Sequence, residues 1–107
     1  MNRQQQIDDF LLEMHRLAVA RLRAEPARIA DVAALLARWR ALNGETRSDA
    51  YRDEWNQLVA LGVEAIEREA CAPTEHAAAL RNISPLSVLV TQQERGALLR
   101  AARRASP

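Results

Sequence analysis

The sequence predicts an all-α protein, a compact bundle of five or six helices. Apolar residues recur at helical spacing through most of the chain, β-branched residues are few, and no alternating apolar and polar run is long enough to predict a strand. The only three glycines leave long stretches without a helix breaker. At 107 residues, we expect residues 1–107 to form a single helical domain.

The first predicted helix carries two adjoining apolar stripes. One stripe consists of Ile7, Phe10, Leu11, Met14 and Ala18. The other consists of Leu12, Val19 and Leu22, with His15 between the two stripes. Such an arc is wider than one neighbouring helix usually covers. Either this helix is central in the fold, or its second stripe contacts another chain.

The second and third helices have clear boundary signals. Pro26 suits a helix start, and Asn43-Gly44 suits a helix end because glycine adopts the left-handed conformation that closes a helix. The inner apolar stripe of the second helix, between these two signals, is Ile29, Val32, Leu36 and Trp39. Ser48 is the predicted N-cap of the third helix. The shared apolar face of that helix is Tyr51, Trp55, Leu58 and Val59.

Shorter helices follow from residue 62 onward. Gly62 is expected to break the third helix before a short segment whose apolar residues are Val63, Ile66 and Ala70. Pro73-Thr74-Glu75 opens the next helix. The last helix is predicted from Gln92 to about Arg104. Its inward-facing residues are expected to be Ala97, Leu98 and Ala101.

Two helix starts within a few residues predict a tight corner near the end of the chain. Ser84-Pro85 is typical of an N-cap followed by proline at the first helical position. Thr91 and Glu94 have the spacing of a capping box, in which each side chain binds the backbone amide of the other residue. We interpret the corner as a structural device. The predicted core consists of Phe10, Met14, Leu36, Trp39, Trp55, Leu58 and Leu89.

Charge is balanced overall but unevenly distributed. The net charge is +1, which argues against nucleic-acid binding by bulk electrostatics. Residues 43–75 contain eight acids and three arginines, a net charge of −5, whereas residues 91–107 contain four arginines and one glutamate, a net charge of +3. These regions either attract each other within one fold or meet across a dimer. A basic tail that binds phosphate is the alternative.

Catalytic and metal-binding patterns were not found in the sequence. The two histidines, His15 and His76, lie on different predicted helices, and the single cysteine, Cys71, has acidic neighbours that disfavour a thiolate. Glycine-rich phosphate loops and nucleophile motifs are absent. We therefore expect a protein that is not an enzyme and needs no cofactor or metal. Without a signal-like or membrane-spanning segment, the expected location is the cytoplasm.

Several residues in a fixed order resemble a known bacterial pattern. They are His15-Arg16, Leu22, Pro26, Trp39, Tyr51, Glu54-Trp55, Leu58, Arg81, Ser84-Pro85, Leu89 and Glu94-Arg95. The pattern resembles a helical module, common in bacteria, that stands alone or follows an antitoxin-type helix-turn-helix regulator domain. That resemblance implies a helical fold and toxin–antitoxin-like partners. It supplies no catalytic residues.

The resulting functional expectation is a small intracellular protein-binding module, antitoxin-like or regulatory, that binds a partner protein. A homodimer is the expected form of self-association. The alternative is a nucleic-acid-binding transcriptional regulator that uses the basic last helix. No membrane interaction is expected. The predicted partner-binding residues are Leu12, His15, Val19, Leu22, Arg95, Arg100, Arg103 and Arg104.

Overall fold

The computed structural model of the protein describes residues 3–44 and 49–104. Within these ranges the chain forms six α-helices and no β-strand, which confirms the predicted all-α bundle. The helices are α1 (Arg3–Ala24), α2 (Ile29–Asn43), α3 (Asp49–Leu61), α4 (Val63–Ala70), α5 (Glu75–Asn82) and α6 (Gln92–Arg104). Two short 3-10 turns, Pro26–Arg28 and Pro85–Leu89, precede α2 and α6.

Helix α1 is the centre of the fold. It packs against α4, α5, α6 and the 3-10 turn Pro85–Leu89. Its buried residues come from both apolar stripes and are Met14, His15, Ala18, Val19 and Leu22. Of the two interpretations of its wide apolar arc, the structure therefore supports the central helix, because the chain's own elements bury residues of both stripes from Met14 onward.

Most of the residues that the sequence predicted for the core are buried. Five of the seven predicted core residues are buried, namely Met14, Leu36, Trp55, Leu58 and Leu89. Phe10 and Trp39 are only partly buried and pack against the outside of the core. The prediction that these two lie inside was wrong. Phe10 belongs to the first half of α1, where no residue before Met14 is buried, and Trp39 lines a surface groove near the end of α2.

The helix ends follow the local signals in the sequence. Gly44 closes α2 with a φ of 60°, and Gly62 separates α3 from α4 with a φ of 111°. The Thr74 hydroxyl accepts the Ala77 N–H at the start of α5. The predicted Ser48 cap lies outside the described residues.

Helix α6 is docked on the surface of the bundle, and none of its residues is buried. Leu98 packs partly against the core, whereas Ala97 and Ala101 are exposed, so the prediction that these two alanines face inward was wrong. The cause lies at the first turn of the helix. Glu94 binds Arg21 of α1, and this contact turns the Glu94 and Leu98 side of α6 toward the bundle.

Candidate functional site

His15 is fully buried beneath the Ser-Pro corner. Its Nδ1 atom lies 2.7 Å from the Leu11 carbonyl oxygen, and its Nε2 atom lies 2.7 Å from the Ser84 Oγ atom. Because a carbonyl oxygen only accepts hydrogen bonds, Nδ1 carries the proton and Nε2 accepts the Ser84 hydroxyl proton. The Ser84 Oγ atom in turn accepts the Leu86 N–H at 3.1 Å. One chain of hydrogen bonds therefore joins the corner to the middle of α1.

Ser84 and His15 are as close as a catalytic nucleophile and its general base. The basicity of His15 therefore decides whether the pair could act in that way. Burial lowers the pKa of His15 to about 4, against the weaker opposing effect of the Leu11 hydrogen bond, and the nearby Arg81 cation lowers it further. A base of this kind holds a transferred proton poorly near neutral pH. Ser84 also serves as the N-cap of its 3-10 turn. The geometry thus indicates a structural lock between α1 and the corner.

Two further polar side chains satisfy carbonyl groups at helix ends. The indole N–H of Trp55 donates to the Leu80 carbonyl at 3.0 Å, and the Trp55 ring stacks on His15 with centroids 6.2 Å apart. The Arg81 Nη1 atom donates to the Ala70 and Ala72 carbonyls at 2.7 and 3.0 Å. A cation placed at the end of α4 meets the negative end of the helix dipole. Trp55 and Arg81 are therefore used to join helices.

The capping box of α6 is also an attachment point. The Thr91 N–H donates to the Glu94 carboxylate at 2.9 Å, and the Glu94 N–H donates to the Thr91 hydroxyl at 3.1 Å, as predicted. The Arg21 guanidinium donates two hydrogen bonds to the same carboxylate, at 2.7 and 2.6 Å, and a third to the Leu89 carbonyl. The Arg21 hydrogen bonds, and after them those from Thr91, lower the pKa of Glu94 to about 2. This bidentate pair fixes α6 to α1.

The predicted partner-binding residues of α1 do not form an accessible surface. His15 and Val19 are buried in the chain's own core, so their assignment to a partner surface was wrong. Leu22 is buried in the same core and borders the outside only where it lines a groove. Periodicity identified the apolar arc but not the elements that cover it. Leu12 is half-buried on the same helix.

The predicted residues of α6 do reach the surface. Arg100, Arg103 and Arg104 are exposed, and Arg95 is half-buried. Among the salt bridges between described residues, none involves these four arginines. The structure therefore keeps a basic helix face available but separates it from the buried residues of α1.

An apolar groove that the sequence analysis missed opens beside α1. It has a volume of about 440 Å³, and its lining residues are Leu22, Arg23, Pro26, Ile29, Gly62 and Val63. These residues come from the end of α1, the 3-10 turn together with the first residue of α2, and the junction between α3 and α4. Leu22, Ile29 and Val63 belong to apolar faces of three different predicted helices. Periodicity does not show where the ends of different helices leave a gap between them, so it gave no signal for the groove.

A second groove lies between α3 and α4 and has a volume of about 430 Å³. Its charged lining residues are Asp53, Glu54, Arg68 and Glu69. Its other lining residues are Ala50, Gln57, Leu58 and Leu61. Leu61 is 72% exposed although it is a large apolar residue. We call this surface the acidic groove. The net acidity of residues 43–75 was its only signal in the sequence.

His76, Cys71 and the acidic residues are the other candidates for catalysis or metal binding. Within residues 3–44 and 49–104, no group of three or more histidine, cysteine or acidic side chains is arranged to hold a metal ion. His76 lies 2.8 Å from the Glu54 carboxylate. Burial, and after it the Glu67 charge, raises the pKa of the half-buried Cys71 thiol. A raised pKa reduces the thiolate fraction and hence the reactivity of this cysteine.

None of the helices in the described part of the chain is long and apolar enough to cross a membrane. Comparisons with protein-family models, with curated proteins and with solved structures each gave no match.

Proposed function

We propose that this protein is a small protein-binding module whose partner inserts apolar side chains into the groove beside α1. The main support is the contrast between the interior and this groove. His15, Ser84, Trp55 and Arg81 are committed to hydrogen bonds inside the fold. The groove walls, in contrast, present apolar surface to the outside.

The groove suits one or two apolar side chains of a partner. Leu22 is fully buried and forms part of its base, while Ile29 and Val63 are partly buried. Pro26 is exposed at its edge. Covering apolar surface contributes roughly 25 cal/mol per Å² removed from water. A partner helix or extended segment with an aliphatic or aromatic anchor matches this surface.

The resemblance of the sequence to modules associated with antitoxin-type regulators suggests the class of partner. Antitoxin-like action on a toxin-like enzyme needs only a shaped surface and no catalytic group. We therefore propose an antitoxin-like or regulatory role, with a toxin-like enzyme as the partner protein.

A matched pair of variants tests the groove. Pro26→Arg places a charge at the groove edge, and Ala27→Arg places the same charge on the next exposed residue, which does not line the groove. In affinity capture from the native host, we expect one protein to be retained by the wild type and by Ala27→Arg but lost from Pro26→Arg. Melting temperatures should remain close for all three. Equal capture by both variants would contradict the proposal.

The exposed arginines of α6 favour a second candidate function, a nucleic-acid-binding transcriptional regulator. Phosphate contacts release counterions, so this function requires a DNA affinity that falls steeply as salt is added. Replacing Arg100, Arg103 and Arg104 with glutamine should then lower both the affinity and the salt dependence. DNA binding with that behaviour, and no protein retained from the host, would favour the regulator over the binding module.

A further inference from the structure

The exposed side of α6 combines charge with small residues. Ala97, Arg100, Ala101 and Arg104 are all exposed and recur at a spacing that places them on one helix face. The alanines leave the helix backbone accessible to close approach, and the arginines flank them. Glu94 and Leu98 hold the inward side of α6, whereas all four residues of this face are exposed.

The acidic groove has complementary properties. Leu61 is its exposed apolar wall, and the carboxylates of Asp53 and Glu69 stand beside it. The salt bridges that Asp53 and Glu69 form within the chain are weak. Asp53 lies 3.3 Å from Arg40 and Glu69 lies 3.4 Å from Arg68, and the four side chains are between 46% and 66% exposed. Such pairs contribute little and leave the carboxylates able to exchange partners.

The two charged surfaces do not neutralise each other within one molecule. Helix α6 packs on α1, and none of its arginines forms a salt bridge with a described acid of α3 or α4. Of the two possibilities left by the sequence, attraction within one fold or across a dimer, the arrangement of the helices therefore favours the second.

We propose that the acidic groove is occupied by α6 of a second copy of this chain. Arg100 and Arg104 of one copy bind the Asp53 and Glu69 carboxylates of the other. Ala97 and Ala101 allow the helix to approach Leu61 closely. In a two-fold dimer each copy supplies one α6 and one groove, so the contact is made twice. This inference is independent of the apolar groove and of its partner protein.

Charge reversal tests the contact in the whole chain. The helix variant carries Arg100→Glu and Arg104→Glu, and the groove variant carries Asp53→Arg and Glu69→Arg. By sedimentation equilibrium at about 100 μM, where a micromolar dissociation constant gives mostly dimer, the wild type should have twice its 12.0 kDa chain mass. Each variant alone should have the mass of one chain. Asp53, Arg100 and Arg104 are exposed and Glu69 is half-buried at the surface, so melting temperatures should change little.

Mixing the two variants gives the most specific result. In a mixed dimer, the acidic helix of one copy faces the basic groove of the other, and the unchanged helix of the second copy faces the unchanged groove of the first. Both contacts are complementary again. We therefore expect the mixture to recover the dimer mass that each variant has lost.

Exposed leucines provide a control for the apolar part of the contact. Leu61 and Leu42 are similarly exposed, at 72% and 74%, but only Leu61 lines the acidic groove. Leu61→Ser should weaken the dimer about tenfold, the loss expected for one buried leucine side chain at an interface. Leu42→Ser should leave the dimer unchanged.

The salt dependence of the dimer and the DNA binding of the helix variant are the last two measurements. Raising the salt from about 0.1 M to about 1 M shortens the Debye length from about 10 Å to about 3 Å and should shift the wild type toward the monomer. A wild type that stays monomeric at about 100 μM would overturn the proposal. So would a mixture of variants that fails to recover the dimer, or a helix variant whose only loss is DNA binding.

Discussion

The Nε2 atom of His15 and the Oγ atom of Ser84 lie 2.7 Å apart, although the two residues are separated by 69 positions in the chain. Ser84 is at the same time the N-cap of the 3-10 turn before α6. One hydroxyl therefore closes a helical turn and holds that turn against α1. This double use distinguishes Ser84 from an ordinary capping residue.

Removing the Ser84 hydroxyl should therefore cost more than removing a capping hydroxyl at the surface. Ser84→Ala loses the cap to Leu86 and leaves the buried Nε2 of His15 without a donor, a combined loss of about 2–4 kcal/mol. Thr91→Ala loses only an exposed cap, about 1 kcal/mol. Urea denaturation of both variants checks this difference. Equal losses would show that the hydrogen bond to His15 contributes no stability.

Acid should destabilise the fold through His15. Its pKa is about 4 in the folded chain and 6.5 for an ordinary histidine. Below pH 6.5 the unfolded chain binds a proton that the folded chain does not, so stability is present above that pH and decreases down to about pH 4. The full loss is about 3 kcal/mol, from 1.36 kcal/mol per pKa unit.

Chemical denaturation at successive pH values measures this loss, and His15→Gln should flatten the curve between pH 4 and 6.5. Glu94 provides a separate window. Its pKa is lowered from 4.5 to about 2, so its contribution is lost only as the pH falls through that range. Glu94→Gln should flatten the stability curve between pH 4.5 and about 2, and it should leave the curve between pH 6.5 and about 4 unchanged. A wild-type stability that is constant from pH 6.5 to 4 would contradict the role assigned to His15.

The two tryptophans should differ in their contribution to stability. Trp55 is fully buried and donates to the Leu80 carbonyl, so Trp55→Ala should lower the free energy of unfolding by about 3–5 kcal/mol. Trp39 is only partly buried, and Trp39→Ala should cost about 1–2 kcal/mol. Thermal and urea unfolding of the two variants measure the difference. A larger loss for Trp39 would contradict the placement of both residues.

Local and long-range features differed in how far the sequence predicted them. The glycine at the end of α2 and the Thr91–Glu94 capping box depend on neighbouring residues and were confirmed. The rotation of α6 depends on the pairing of Arg21 with Glu94, residues 73 positions apart. Periodicity does not specify which helix covers which face, so the inward residues of α6 were assigned wrongly.

The same limit applies to the candidate sites. The sequence identified His15 as a histidine beside an apolar stripe but not its contact with Ser84, which exists only after α1 and the corner have packed together. The apolar groove is formed by helix ends from three parts of the chain, including Pro26 and Val63. The basic face of α6 was predictable because its charges lie within one helix.

The glycines at positions 62 and 96 should respond to alanine in opposite directions. Gly62 has φ and ψ angles of 111° and −178°, a conformation almost restricted to glycine. Gly62→Ala should therefore destabilise the fold by about 1–3 kcal/mol, although no atom crowds the new methyl group.

Gly96 lies inside α6, where alanine is favoured because the unfolded chain loses less conformational freedom on folding. Its new methyl group would meet only the Nη1 atom at the flexible end of Arg100, 3.4 Å away. Gly96→Ala should stabilise the protein by about 0.5–1 kcal/mol. Melting temperatures that rise for Gly96→Ala and fall for Gly62→Ala would support both assignments. A fall for Gly96→Ala would mean that α6 packs more tightly around this position than the structure indicates.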